Sequence, residues 1–463
     1  MIPELHQLRL QVRNTGEPLR GTVDISGSKN GALPLLAAAL FWDETVTLTD
    51  IPILLDTLHM VALLKEMGVV IDRVNRHTYC LDSRRLSQMD LIKSPYFHTL
   101  RYSILLLYPL LAHFGAVTLP LPGGCKLDRS LDCHLKPLAL MGYDITETSQ
   151  SITVRPPRKP RGFSYQLDPR RDDVVGFTES AIMAAMLTDE PITLIHAATE
   201  PEVILLLQFL KKMGLHVQMD VIREGESDVS VIHMQYTEKT YRLPIGQTNI
   251  RDRIEAGSWM GLLAATPKRS RLTLTEVPTG DIHRIVELFQ DMGLAIDILS
   301  PTTLHISNLD RLFLPMRVVA DNHPAFPTDL QPIATTALCW ATGTSQVEDH
   351  VFPNRWGYVR ELQRAGAQIK INPQTGGCST VTGSFLHPAI MACLDLRGAW
   401  AVLMAGASMS QPSLLTQADQ LFRGYENPLV KLRSVGLDVE ITDETLARDL
   451  SQHPVYHDII WLP

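Results

Sequence analysis

FLKKMGLHVQM, residues 209–219, is the stretch on which the fold turns. An apolar helical stripe (Phe209, Leu210, Met213) runs into a glycine, and an alternating strand (Leu215, Val217, Met219) follows at once. A glycine just past a helix takes the left-handed conformation that closes the last turn, so Gly214 stops the helix and aims the strand. The same grammar returns in LLKEMGVVID (63–72), LALMGYDIT (138–146), LFQDMGLAIDI (288–298), LQRAGAQIKI (362–371) and LRSVGLDVEI (432–441). The six glycines, Gly68, Gly142, Gly214, Gly293, Gly366 and Gly436, are 74, 72, 79, 73 and 70 residues apart. Spacing this regular argues for internal repeats rather than a chance echo of a common turn.

Working outward, each copy has a second landmark: a small-residue apolar helix, a short turn, then a strand. LLAAALFWDETVTLTDIP (35–52), MAAMLTDEPITLIHAA (183–198) and MGLLAATPKRSRLTLTEVP (260–278) show it. A unit therefore holds two helices and three or four strands in about 70–80 residues. The Ala-, Leu- and Gly-rich helices lack a broad polar face, which predicts burial at the centre of a domain. Six α/β units in 463 residues predict two domains of three units each, with helices inside and sheets outside.

Composition limits the function. Apolar residues at 45% and charged residues at 20% exclude disorder, collagen and coiled coil. A net charge of −8 gives no basic field for nucleic acid, so any anionic ligand needs a local Arg/Lys cluster. MIPELHQLRLQVRN lacks the apolar core of a signal peptide, and Ser103–Val117 is shorter than a membrane span and broken by Pro109 and His113. Six scattered cysteines form no CxxC pair, and Cys125, Cys133 and His134 are poorly spaced for a metal. The expectation is a soluble cytoplasmic protein with reduced thiols, touching neither membrane nor nucleic acid.

Four segments carry candidate chemistry. SGSKNG (26–31), between a strand and a helix start, offers backbone N–H groups and Lys29 to an anion, without the P-loop spacing. LPGGCKLDR (121–129) puts Cys125 in a glycine loop beside Lys126 and Arg129, which suits a thiolate; an inert thiol is the plainer alternative. HPAFPTDLQ (323–331) stiffens a turn that presents Asp329 just before an apolar helix, as an N-cap or as a general base. Arg101, Arg355, Arg397 and Arg423 lie in motif turns, which suits an anion-binding cleft better than scattered surface ion pairs.

In combination these motifs resemble the enolpyruvyl transferases along essentially the whole chain. SGSKNGALP, LPGGC, the EPE of 200–202, DRIEAG from Asp252, HPAFPTD, FPNR, DLR and RGYE stand in the family order. The resemblance implies a two-domain inside-out α/β barrel. It assigns 29–246 to one domain and 1–28 with 247–463 to the other, with the active site between. It implies transfer of the enolpyruvyl group of phosphoenolpyruvate to a hydroxyl of a uridine nucleotide with release of phosphate, phosphoenolpyruvate being a co-substrate and no cofactor or metal being required. The acceptor it favours is the 3-hydroxyl of UDP-N-acetylglucosamine, a peptidoglycan precursor. The alternatives are the 3′-hydroxyl of UMP, as in nucleoside-antibiotic biosynthesis, and a catalytically inactive binding or regulatory paralogue.

The resemblance also assigns residues. Lys29, Arg101, Arg129, Arg397 and Arg423 match the phosphoenolpyruvate-binding cations, and Cys125 matches the cysteine that forms a covalent adduct with phosphoenolpyruvate and is the target of fosfomycin. Cys125, Asp329, Lys29 and Arg397 are the catalytic candidates. The acceptor side comprises Asn30, Asp132, His134, Val174, Val175 and Gly176 in the first half, and Thr328, Asp329, Phe352 and Arg355 in the second. The chain departs from the pattern in places. Arg129 follows Cys125 by four residues rather than five, and Val174 replaces a serine. Asp172 stands where some members carry a phosphate-binding lysine, with Arg170 and Arg171 near enough in sequence to compensate. Leu105 replaces an aromatic and Pro353 a glutamate.

Overall fold

The computed structural model describes residues 5–87, 91–123, 130–224, 227–237, 244–266, 269–309, 312–372, 377–443, 445–446, 448, 452–453 and 455–459. Two compact units emerge: a central one, Gly27–Pro52 with Asp56–Ile250, and a terminal one, Met1–Ser26, Ile53–Leu55 and Arg251–Pro463. Cys125 and Arg129 lie outside the described residues.

The repeat is visible in the backbone. Gly68, Gly142, Gly214, Gly293, Gly366 and Gly436 all have positive φ, between +88° and +127°. A side chain there would pay the left-handed penalty, which explains why glycine recurs at this beat. Each of the six glycines follows a helix: Leu55–Glu66, Asp132–Leu140, Pro201–Lys211, His283–Met292, Gly357–Arg364 and Pro428–Ser434. A second series, Lys29–Ala38, Leu107–Phe114, Val174–Ala185, Arg253–Ala264, Gln331–Ala337 and Leu396–Ala407, supplies the apolar inner helices. Every residue of Arg253–Ala264 is buried. Two glycines let its neighbours in: a Cβ at Gly257 would lie 2.3 Å from Leu330 Cδ1, and one at Gly261 2.2 Å from Ile333 Cγ2.

Around the inner helices the described strands form five four-stranded sheets and one of three strands. Each four-stranded sheet has one parallel pair, the rest being antiparallel. Two parallel pairs close rings across long stretches of chain. In the central unit Ile245–Thr248 runs beside Thr45–Thr49, with Ile245 opposite Val46. In the terminal unit Arg20–Asp24 runs beside Arg271–Thr275. There Arg9–Arg13 also lies between Ser413–Thr416 and Asp438–Ile441. The first 26 residues thus complete sheets whose other strands come more than 240 residues later, which is why the unit boundaries fall at Ser26/Gly27 and Ile250/Arg251. Among the described residues no helix is long and apolar enough to cross a membrane.

Candidate active site

In the central unit the first cluster forms where the SGSKNG turn meets the helix Lys29–Ala38. Ser28 caps this helix by accepting from the Gly31 N–H at 3.2 Å. The turn is clamped by Asn249, a buried amide that donates to the carbonyls of Ser28 (2.9 Å) and Asp50 (3.1 Å). Glycine is required on both sides of the clamp. A Cβ at Gly27 would lie 1.9 Å from the Asp50 carbonyl oxygen, and one at Gly31 2.4 Å from Asn249 Oδ1. Lys29 is nearly enclosed; its Nζ lies 3.7 Å from Asp56 Oδ2 and 6.0 Å from the centre of the Tyr102 ring. Asn30 follows, half-buried. Arg101 opens the short 3-10 helix Arg101–Leu106 and donates through Nη2 to the Ser130 carbonyl at 2.7 Å. A Cβ on Gly123 would stand 1.6 Å from the His98 carbonyl oxygen, so the first glycine of LPGGC is a packing requirement.

A second cluster joins two helix starts. Gly176 packs so closely on the Asp132–Leu140 helix that a Cβ there would lie 3.1 Å from Cys133 Sγ. Asp173 caps the helix Val174–Ala185 by accepting from the Gly176 N–H at 3.0 Å. Asp132, Val174, Val175 and Gly176 therefore share one neighbourhood, with Asp132 exposed at its rim. His134 points inward instead, its Nδ1 2.8 Å from Ser180 Oγ, and its carbonyl accepts from the Tyr108 hydroxyl at 2.5 Å. Arg170 and Arg171, just before the helix Val174–Ala185, are both exposed. Arg171 faces Asp168, while Asp172 pairs with Lys136 at 3.7 Å and accepts from Tyr165 at 3.3 Å. Glu179, farther along the Val174 helix, is sealed in; burial, then the charges of Asp173, Glu202 and Glu200, holds its carboxyl well above the usual range.

In the terminal unit Asp329 sits between two guanidiniums. Arg355 Nη1 donates to Oδ1 at 2.8 Å, while Arg397 Nη2 and Nε donate to Oδ2 at 3.1 and 3.2 Å. Sequence allowed Asp329 to cap the following helix, but neither Thr328–Leu330 nor Gln331–Ala337 has a side-chain cap. The carboxylate is turned to the arginines, whose charged bonds are stronger than a bond to a neutral N–H. Arg397 is fully enclosed, its guanidinium 5.3 Å from the centre of the Tyr425 ring. Tyr425 is fixed by Ser258 Oγ at 2.9 Å, and burial pushes its phenol up to about 12. Burial works against both arginine charges. Asp329, with Asp395 beside Arg355 and Tyr425 beside Arg397, outweighs it and holds both above the ordinary arginine range. Arg423 is half-buried at the end of Asp419–Gly424, its Nη1 3.2 Å from Gln420 Oε1.

The structure thus gathers Lys29 with the Arg101–Tyr102 segment and the starts of two helices around Gly176 in the central unit, and in the terminal unit Arg355 and Arg397 around the Asp329 carboxylate, with Thr328 and Phe352 on that of Asp349. Sequence reading missed Asn249, Tyr425 and Asp349. Tyr425 stood inside a quoted motif, RGYE, and could have been found there. Asn249 follows the strand Ile245–Thr248 and Asp349 ends a strand, and neither has a local signal. Asp349 is buried and accepts from Thr328 Oγ1 (2.7 Å), Val351 N (3.0 Å) and Phe352 N (2.8 Å).

Comparisons with known proteins agree with one another. Residues 13–432 match the family model described as EPSP synthase (3-phosphoshikimate 1-carboxyvinyltransferase). A UDP-N-acetylglucosamine 1-carboxyvinyltransferase of Deinococcus deserti is 33% identical, covering 94% of this chain and 98% of its own. One of Campylobacter hominis is 31% identical over 93% of this chain and 99% of its own. Among solved structures, the enolpyruvyl transferase NikO from Streptomyces tendae superposes with a TM-score of 0.80 at 21% identity, covering 94% of this chain and 99% of its own. An EPSP synthase of Acinetobacter baumannii gives 0.67 at 15% identity, covering 94% and 100%. Likeness at these identities speaks for the fold alone.

Proposed function

The chain belongs to the EPSP synthase family of enolpyruvyl transferases, and from that premise we propose that it transfers the enolpyruvyl group of phosphoenolpyruvate to the 3-hydroxyl of UDP-N-acetylglucosamine. The observation that carries the acceptor is the 31–33% identity, over nearly the full length of both partners, to enzymes named for it. The reaction would supply a peptidoglycan precursor, and both substrates are cytoplasmic metabolites.

The chemistry assigns work to the clusters. The acceptor oxygen bonds to C2 of phosphoenolpyruvate while C3 gains a proton, giving a tetrahedral ketal. The C2–O bond to phosphate then breaks as C3 loses a proton. Asp329 takes the proton of the acceptor hydroxyl, its carboxylate aimed by Arg355 and Arg397. Lys29, Arg101, Arg129, Arg397 and Arg423 balance the carboxylate and phosphate charges of phosphoenolpyruvate, which several fixed cations must surround. Cys125 is the thiol that forms the adduct. The first turns at Asp132 and Val174 present N–H groups to the nucleotide, with Asn30, Thr328 and Phe352 completing the acceptor contacts. His134, engaged by Ser180, supports that neighbourhood from within.

Phosphate release from phosphoenolpyruvate, measured with UDP-N-acetylglucosamine, UMP and shikimate 3-phosphate in turn, tests the proposal. Turnover with the sugar nucleotide supports it. Turnover with UMP alone moves the enzyme to the other uridine nucleotide, and no turnover with any of the three removes the enzymatic reading.

A further inference from the structure

We propose that Asp349 is the positioning residue of the acceptor side, fixing the Asp329–Arg355 pair. Neither Asp329 nor Arg355 stands within a long helix or strand. Asp329 is in the short turn Thr328–Leu330, and Arg355 is in the irregular stretch between the strand Thr344–Asp349 and the helix Gly357–Arg364. Something must set the two segments against each other for Arg355 Nη1 to reach Asp329 Oδ1 at 2.8 Å.

One carboxylate does so. Oδ2 of Asp349 accepts from the hydroxyl of Thr328, the residue before Asp329, at 2.7 Å. Oδ1 accepts from the N–H groups of Val351 at 3.0 Å and Phe352 at 2.8 Å. The Phe352 carbonyl in turn accepts the Arg355 N–H at 3.0 Å. Asp349 itself is anchored: it closes a strand, and its N–H donates to the Gly377 carbonyl at 2.7 Å. A Cβ at Gly377 would stand 2.6 Å from the Asp349 carbonyl oxygen, so that approach depends on glycine.

The choice of residue type is informative. Asp349 is 1% exposed, and burying a carboxylate is costly where an apolar side chain would fill the space more cheaply. What an apolar residue cannot do is accept from three donors in two segments. Arg355, held by this arrangement, keeps a buried Nε–H that has no acceptor among the described residues, a donor left over once its other contacts are made. Asn at position 349 would keep the geometry, with its oxygen on the two N–H groups and its amide nitrogen toward Thr328 Oγ, which can also accept. Ala would keep none of it.

The inference rests on the reading that Asp329 and Arg355 serve the acceptor, and its test separates the two. Steady-state kinetics with UDP-N-acetylglucosamine and phosphoenolpyruvate are measured for wild type, Asp349→Asn, Asp349→Ala and Thr328→Val. Amide exchange over residues 350–356 is followed in parallel without substrate. Misplacing a reacting group by an ångström costs on the order of 100-fold. Asp349→Ala is expected to lose about 30- to 100-fold in kcat/KM for the acceptor, with KM for phosphoenolpyruvate within about threefold. Asp349→Asn should stay within about threefold of wild type on both, and Thr328→Val should fall between. Exchange at Val351 and Phe352 should quicken at least about tenfold in the alanine variant and not in the asparagine variant. If Asp349→Ala does not fold, Thr328→Val and Asp349→Asn decide by the same readouts. Equal damage in Asn and Ala overturns the proposal in favour of a charge role, and unchanged exchange in Ala overturns it outright. If wild type itself turns over no acceptor, the proposed function fails, and the exchange measurement still decides whether Asp349 ties the two segments.

Discussion

Asp329→Asn is nearly isosteric and removes one negative charge from between two guanidiniums. The distances are 2.8 Å to Arg355 and 3.1 Å to Arg397, and Arg397 has no exposed side-chain surface. At an effective dielectric constant of ~20, each attraction is worth about 5–6 kcal/mol before desolvation is counted. Asp329 retains 20% side-chain exposure, so screening and relaxation reduce the net effect. Arg355 also keeps Asp395 at 3.7 Å, and Arg397 keeps the Gly424 carbonyl, the Tyr425 side chain and the attraction of Asp252. Breaking one side of a buried pair costs about 3–5 kcal/mol. Taking the lower end, at about 2–4 °C per kcal/mol for a unit of this size, Tm of the terminal unit should fall by about 6–12 °C. Loss of a general base should also lower kcat by about 10²–10⁴. Calorimetry and phosphate release read the two effects separately. In a double-mutant cycle with Arg397→Met, the stability losses should be non-additive by at least about 1 kcal/mol. A Tm within 2 °C of wild type together with additive losses would refute the paired geometry, and an undiminished kcat would refute Asp329 as base.

Other consequences can be checked one by one. Glu179 has a carboxyl raised by burial, so its folded form binds a proton more tightly than the unfolded chain. Its stabilising share is present below the ordinary carboxyl range and lost as pH rises through the raised value. Glu179→Gln should therefore gain stability relative to wild type as pH rises above the ordinary carboxyl range in urea titrations, and a difference that stays constant with pH would contradict the reading. Gly261→Ala forces a methyl to 2.2 Å from Ile333 Cγ2 and should cost about 1–3 kcal/mol, with Ile333→Ala in the same chain restoring part of it. Asn249→Leu leaves the Ser28 and Asp50 carbonyls without their shared donor; it should cost about 2–4 kcal/mol and raise KM for phosphoenolpyruvate more than it lowers kcat.

The repeat was readable because its signal is local. A glycine that must adopt positive φ after a helix shows in ten residues of sequence, and all six did so. Inner helices were equally readable, since a helix without a polar face has nowhere to go but the centre. The strands that complete the sheets were not. Arg20–Asp24 pairs with Arg271–Thr275 by backbone hydrogen bonds that any sequence can make, so no side chain announces the partner. The candidate site divides along the same line. Ser28 and Asp173 cap helices within three residues of themselves and could be placed from sequence. The bond from Arg397 to Asp329 spans 68 positions. Asp329 therefore read equally well as a cap, and only the fold showed that two guanidiniums take its carboxylate. Asp172 is a similar case, because its partner Lys136 comes from the distant helix Asp132–Leu140.

Mass spectrometry of the sugar nucleotide after incubation with phosphoenolpyruvate tests the central claim most directly. The account predicts that UDP-N-acetylglucosamine gains one carboxyvinyl group for each phosphate released by wild type, and that Asp329→Asn and Lys29→Met form both products at least about 100-fold more slowly. Phosphate released while the nucleotide keeps its original mass would mean that water, not a nucleotide hydroxyl, attacks phosphoenolpyruvate, and the transfer reading would be wrong.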